Sequence, residues 1–144
     1  MSDANAQIAY PASLGRRLGA MLYDSLLVLA IWFISIGISN LLLQQPSPPW
    51  LVQTIVLFEW YLFFVYFWSR GGQTAGMRAW RLKVVAPTGE VINFATATVR
   101  FFCAAVSGIS LVGLVWIFFD KEKRAWHDIW SKSVVVHMPK DSST

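Results

Sequence analysis

Three long apolar runs, separated by short polar stretches, organise the chain. From Leu18 to Leu43 the only charge is Asp24. A helix over this run would be roughly 39 Å long, more than the roughly 30 Å hydrocarbon core of a bilayer. "QQPSPP" (44–49) ends it with a proline-rich turn that carries no charge. A second run, Trp50 to Ser69, is dense in aromatic residues and interrupted only by Glu59. The third, Phe94 to Phe119, has Arg100 near its start and Ser107, Gly108, Ser110 and Gly113 in its middle. The pattern predicts membrane spans at 18–43 and 50–69. For 94–119 it allows a single crossing, or a break at 107–113 into two arms that enter and leave on one side.

The polar stretches predict smaller elements. Residues 1–12 read as a flexible N-terminus. In "RGGQTAGMRAWRLKVV" Gly71 and Gly72 stop the second helix, and "RLKVV" alternates as a strand does. "APTGEVI" reads as a turn into a second short strand, making a β-hairpin. "SVVVH" (133–137) is a further strand pattern that could pair with "RLKVV" if both lie on one face. In "DKEKRAWHDIW" (120–130) Trp126 and Trp130 fall at i, i+4, which predicts a short helix lying in the membrane interface, within a basic segment 120–144. The expected fold is an all-α membrane protein of one domain over 1–144. It has two transmembrane helices and a third broken or re-entrant apolar segment, with a short cytoplasmic β-hairpin and an interfacial C-terminal helix.

Composition agrees. The 144 residues are 56% hydrophobic and 14% charged, against about 25% charged for soluble domains. A secretory signal has an apolar region of about 7–15 residues and a small-residue cleavage site, which the first run does not match. The net charge of +4 is read as setting topology and contacting anionic headgroups, with no nucleic-acid partner. Basic residues stand before the first run, between the second and third, and after the third, while the first connection has none. This places the N-terminus in the cytoplasm. A crossing third segment would put five basic residues outside, so the same rule favours re-entry and a cytoplasmic C-terminus. Cys103 has no cysteine partner and no metal-ligand spacing, and reads as a packing residue; no metal or cofactor is expected.

The candidate chemistry lies in the charges within or beside apolar runs. Arg17 and Asp24 are seven residues apart, within about 20° on one helical face but roughly 10 Å apart along the axis. Asp24 therefore needs a partner from elsewhere, a water, or a proton. An aspartate at mid-helix opposes insertion by about 2.5–3.5 kcal/mol, so it is either a functional acid or polar glue between helices. Glu59 in an antiparallel span would differ from Asp24 in height by roughly 6 Å. The two acids could share a proton or cation, or Glu59 could be neutral and hydrogen-bonded to a neighbouring helix. Arg100 can snorkel to the interface or serve as counter-ion to Asp24. His127 beside Asp128 invites an acid–base reading, but no nucleophile motif accompanies it, and an ordinary hydrogen-bonded pair is expected. Without zinc spacing or a phosphate loop, no enzyme is expected. Gly15 with Gly19, and Ser35 with Ser39, fit small-residue helix contacts.

"RRLGAMLYD", "GGQTAGMRAWRLKVV", an arginine opening the third apolar segment and "FDKEKRAWHD" ahead of "SVVVH" occur in that order. In this the chain resembles the RDD family of bacterial membrane proteins, over about residues 10–139. The family is named for one arginine and two aspartates, and the resemblance implies Arg17, Asp24 and Asp128 for those positions. It also implies a bacterial inner-membrane location and, since members are proposed as sodium/proton antiporters, transport. Two functions follow as expectations. One is a cation, proton or small-ligand transporter using Asp24 and Glu59, which at this size requires a homo-oligomer. The other is a non-transporting scaffold or accessory subunit that binds a protein partner or lipid headgroups. In either case Asp24 is expected to pair with Arg17 or Arg100 near the cytoplasmic face.

Overall fold

The computed structural model describes residues 10–110, 116–121 and 124–138. Two helices dominate: α1, Leu14–Leu43, and α2, Pro49–Gly71. They have 30 and 23 residues, and both are long and apolar enough to cross a membrane. Pro49 opens α2 at a position where its fixed φ suits the first helical turn and its missing N–H removes no bond. The connection is closed by Asn40 Oδ1, which accepts the Ser47 N–H at 2.7 Å, and by a 2.7 Å bond between the Ser39 and Ser47 hydroxyls. Only 6% of the apolar window of each helix is buried inside the fold, with Phe33 84% and Leu42 78% exposed. A soluble monomer rarely leaves so continuous an apolar surface uncovered.

After α2 the chain turns through Gly72. Its φ of +69° is the left-handed conformation glycine adopts freely, and a Cβ there would meet the Val84 carbonyl oxygen at 2.5 Å. A short helix α3, Ala75–Ala79, leads into strand β2, Leu82–Val85. Helix α4, Phe94–Ser110, a single 3₁₀ turn at Trp116–Phe118 and helix α5, Trp126–Trp130, follow. The last strand, β3, is Val134–His137, and the first, β1, is Tyr10–Pro11.

The sheet corrects two expectations. "RLKVV" does pair antiparallel with "SVVVH", Lys83 opposite Val136 and Val84 opposite Val135. There is no hairpin, however. Residues 86–90 make a turn in which the Ala86 N–H donates to the Glu90 carbonyl at 2.8 Å, and residues 91–93 form no strand. The strand order is β1-β3-β2, so the partner of β2 comes from the far end of the chain. Tyr10 and Pro11 form the third strand within a stretch expected to be flexible, and Ala12 is fully buried, its N–H donating to Val135 O at 3.1 Å. Residues 1–9 lie outside the described residues. Of the break expected at 107–113, residues 107–110 are helical instead, since α4 runs on to Ser110, and 111–113 lie outside the described residues.

The buried core sits where the helix ends meet this sheet. Ala20, Val65, Trp68, Met77, Leu82, Val84, Ile92, Ala97 and Val135 form one cluster. Helix α4 packs on α2 through aromatic edges, Phe101 meeting Trp60 and Tyr61 with ring centroids 5.5 and 5.4 Å apart. Helix α1 packs on α2 and α3. Its buried positions, Arg17, Ala20, Asp24 and Val28, form one stripe at helical spacing.

Candidate functional site

Asp128 is the convergence point. It occupies the third residue of α5 and is 1% exposed. Its Oδ2 accepts from Arg17 Nη1 at 2.5 Å and from the Ala125 backbone N–H at 3.1 Å, so the same oxygen caps its own helix. Its Oδ1 forms an ion pair with Arg100 Nη1 at 2.6 Å. Arg100 Nη1 also donates to Ser133 Oγ at 2.6 Å, and that hydroxyl bonds Ser131 Oγ at 2.7 Å. The Arg100 guanidinium stacks over Trp68, 5.1 Å from the ring centroid. Arg17 Nε donates to the Ala12 carbonyl at 3.3 Å, tying the start of the chain to the same point. Helices α1, α4 and α5 and the strand residues beside them thus meet at one carboxylate.

The electrostatics follow from this crowding. Burial alone would raise the Asp128 pKa, but the Arg100 and Arg17 charges outweigh it and hold the carboxyl well below the usual carboxylate range. His127 shows the opposite outcome. Burial, reinforced by the nearby Arg100 charge, pushes its pKa down to about 4 despite the pull of Asp128. At neutral pH the ring, its Nε2 3.5 Å from Asp128 Oδ1, therefore carries no charge.

Asp24 lies elsewhere. Neither arginine holds it, and this corrects the expected Asp24–arginine pair. Its Oδ2 accepts the Thr74 hydroxyl and its Oδ1 accepts the Gly76 N–H at 2.8 Å. The Thr74 oxygen in turn accepts the Met77 N–H at 3.2 Å, capping α3. The carboxylate thus sits at the start of α3, where free N–H groups point outward. Gly76 makes this possible: a Cβ there would strike the Ala20 carbonyl oxygen and come within 2.9 Å of Asp24. Trp80 similarly covers Gly19, where a Cβ would meet the indole ring at 2.5 Å, whereas a Cβ at Gly15 would meet nothing within 4 Å among the described residues. Helix α3 packs against α1, and its start supplies both donors to Asp24.

Glu59 is separate again. Its Oε1 accepts from Ser35 Oγ at 2.5 Å. Ser35 is eleven positions beyond Asp24 on α1, a rise of roughly 16 Å, so the two acids share neither a proton nor a cation. The Glu59 Oε2 is buried without a hydrogen-bond partner among the described residues. No group of three or more metal-binding side chains occurs among the described residues.

Between α1, α2 and α4 lies a cavity of about 390 Å³. Arg17, Asp24, Arg100 and His127 line its polar part, and Trp60, Phe64, Phe101, Ala104 and Ala105 its apolar part. Sequence reasoning did not single out Thr74, Gly76, Ser131 or Ser133. Thr74 alone carried a signal, as a helix-capping residue just before a short helical stretch.

The arrangement of Arg17, Asp24, the Thr74–Gly76 turn and Asp128 spans nearly the whole described chain. The family model of the RDD family matches residues 11–132. The chain belongs to the RDD family. This RDD chain, with two helices of membrane-crossing length and composition, is on those grounds a membrane protein. Searches of curated proteins and of solved structures find no match.

Proposed function

We propose that this RDD chain is a multi-pass protein of the bacterial inner membrane that serves as an accessory or scaffold subunit. Its N-terminus and sheet face the cytoplasm. The observation that carries this reading is the joining of Arg17, Arg100 and Asp128. Arginines from α1 and α4 hold the Asp128 carboxylate of α5 between them and lock the sheet onto the helix ends, leaving Asp128 no role as a carrier. Asp24 is likewise engaged by two donors. Arg16, Arg70, Arg78, Arg81, Lys83 and Lys132 lie at the ends of helices or in and beside the sheet, and the 44–48 connection has none, in keeping with a cytoplasmic sheet. Because Arg100 opens the third apolar segment and Asp128 follows it, their 2.6 Å contact favours a segment that returns to the side it left.

The test is purification of the tagged chain from native membranes in mild detergent. A stoichiometric second protein is expected. Self-assembly alone would overturn the scaffold reading in favour of transport. That second reading, cation or proton transport through a homo-oligomer, draws support from Glu59, whose buried Oε2 has no hydrogen-bond partner among the described residues. Glu59→Gln abolishing cation-coupled proton flux in vesicles, at unchanged protein abundance, would be its signature.

A further inference from the structure

We infer that the cavity between α1, α2 and α4 binds a single-chain amphiphile, an acyl chain with an anionic head. Its charge pattern is the first argument. Arg100 lines the cavity and is 3% exposed, and its Nε–H has no hydrogen-bond partner among the described residues. A buried cationic donor left unsatisfied favours an acceptor, and an anionic one most of all. Asp24, on the α1 wall, has both oxygens engaged with Thr74 and Gly76, so it does not supply that acceptor.

Polarity along the helices is the second argument. Arg17 is in the first turn of α1 and Arg100 in the second turn of α4, both at the sheet end. The apolar lining lies deeper: Phe101, Ala104 and Ala105 follow Arg100 along α4, and Phe64 and Trp60 recede from the end of α2. Head at the interface and chain toward the bilayer centre is the orientation of a membrane amphiphile. At about 390 Å³ the space falls in the range of small-molecule sites, about 300–1,000 Å³. Met21 and Trp60, 45% and 36% exposed, also line it, so a chain longer than the cavity can continue outward among lipids. The inference rests on the reading that α1 and α2 lie in a bilayer.

The probe is a brominated long-chain fatty acid, added to the purified full chain in a non-ionic detergent, with quenching of tryptophan fluorescence as the readout. Trp60 and Trp68 line the cavity, so saturable quenching is expected, reduced in Trp60→Phe. The matching brominated alcohol should bind about tenfold more weakly or worse. Arg100→Gln should erase the preference for acid over alcohol. Because that change also disturbs the Asp128 cluster, Ala105→Phe provides a second variant, which should lose binding while keeping the thermal midpoint. Equal binding of acid and alcohol, or full binding by Ala105→Phe, would overturn the proposal. Displacement of the probe by acetate at comparable concentration would overturn the amphiphile assignment in favour of a free small anion. The bilayer reading fails independently, if alkaline carbonate releases the chain from membranes.

Discussion

Arg17 Nη1 and Asp128 Oδ2 are 2.5 Å apart although 111 positions separate them in the chain, and both side chains are buried. With Arg100 on the second oxygen, the carboxylate sits between two guanidinium groups. Removing it strands two cations in the interior, a change that typically destabilises by about 3–5 kcal/mol. Asp128→Asn is therefore expected to lower the thermal midpoint sharply and to reduce accumulation in membranes. Arg16→Gln, which removes an exposed contact to His137 at 2.7 Å, should change stability by about 0.5 kcal/mol or less. Equal effects of the two substitutions would contradict the central role given to Asp128.

The Asp24 carboxylate gives a second contrast. Thr74→Val leaves one oxygen without its hydroxyl donor and uncaps α3, with an expected loss of about 1–3 kcal/mol. Gly76→Ala should do more harm, because its methyl meets the α1 backbone, which has no freedom to move aside. Gly15→Ala, in open space on the same helix, should be neutral. Thermal unfolding in detergent ranks the three.

Acid stability follows from His127. In the unfolded chain it titrates near its ordinary value of 6.5, whereas in the fold its pKa is about 4. Between those values the unfolded state binds the extra proton, so stability falls as pH drops from about 6.5 to about 4, by a few kcal/mol at most. Asp128 acts in a lower window: its contribution is complete above the unfolded carboxylate value of about 3.9 and fades only below it. His127→Gln should flatten the denaturation midpoint between pH 6.5 and 4 and leave the steeper acid transition in place. An unchanged slope in that variant would assign it to another group.

Cross-strand chemistry tests the return of the third segment. Lys83 and Val136 are opposed in the sheet. Lys83→Cys with Val136→Cys, in a Cys103→Ser background, should cross-link rapidly in intact membranes with a short bifunctional thiol reagent. A segment that crossed the bilayer would hold these two positions a membrane thickness apart, and no cross-link would form.

How much of this was legible in the sequence depended on whether a signal was local. The two long helices follow from apolar runs broken by a single acid each, β2 from the alternation in "RLKVV" and β3 from the β-branched run in "SVVVH". That Arg17 and Asp24 share a stripe followed from a spacing of seven. The partner of Asp24 was not legible, because its donors are a hydroxyl and a backbone amide fifty positions away, neither of which announces itself as a charge would. The search for an arginine looked for opposite charge, where the fold uses the start of a short helix. Strand β1 was hidden because two residues, one of them proline, carry no alternation. The height match of Asp24 and Glu59 failed because it treated the helices as level rods of equal reach, whereas Glu59 meets α1 at Ser35, well beyond Asp24.

The central position of β3 has a consequence for biogenesis. The strand that holds β1 and β2 together is the last to leave the ribosome among the described elements, and Asp128 emerges only shortly before it. Until then β1 and β2 have no shared partner and two arginines wait without their common carboxylate. Assembly of the sheet end must therefore follow synthesis of nearly the whole described chain, after α1 and α2 are already made. A chain interrupted before Asp128 would keep its long helices while remaining open at the sheet end, with β1 and β2 lacking the strand that joins them.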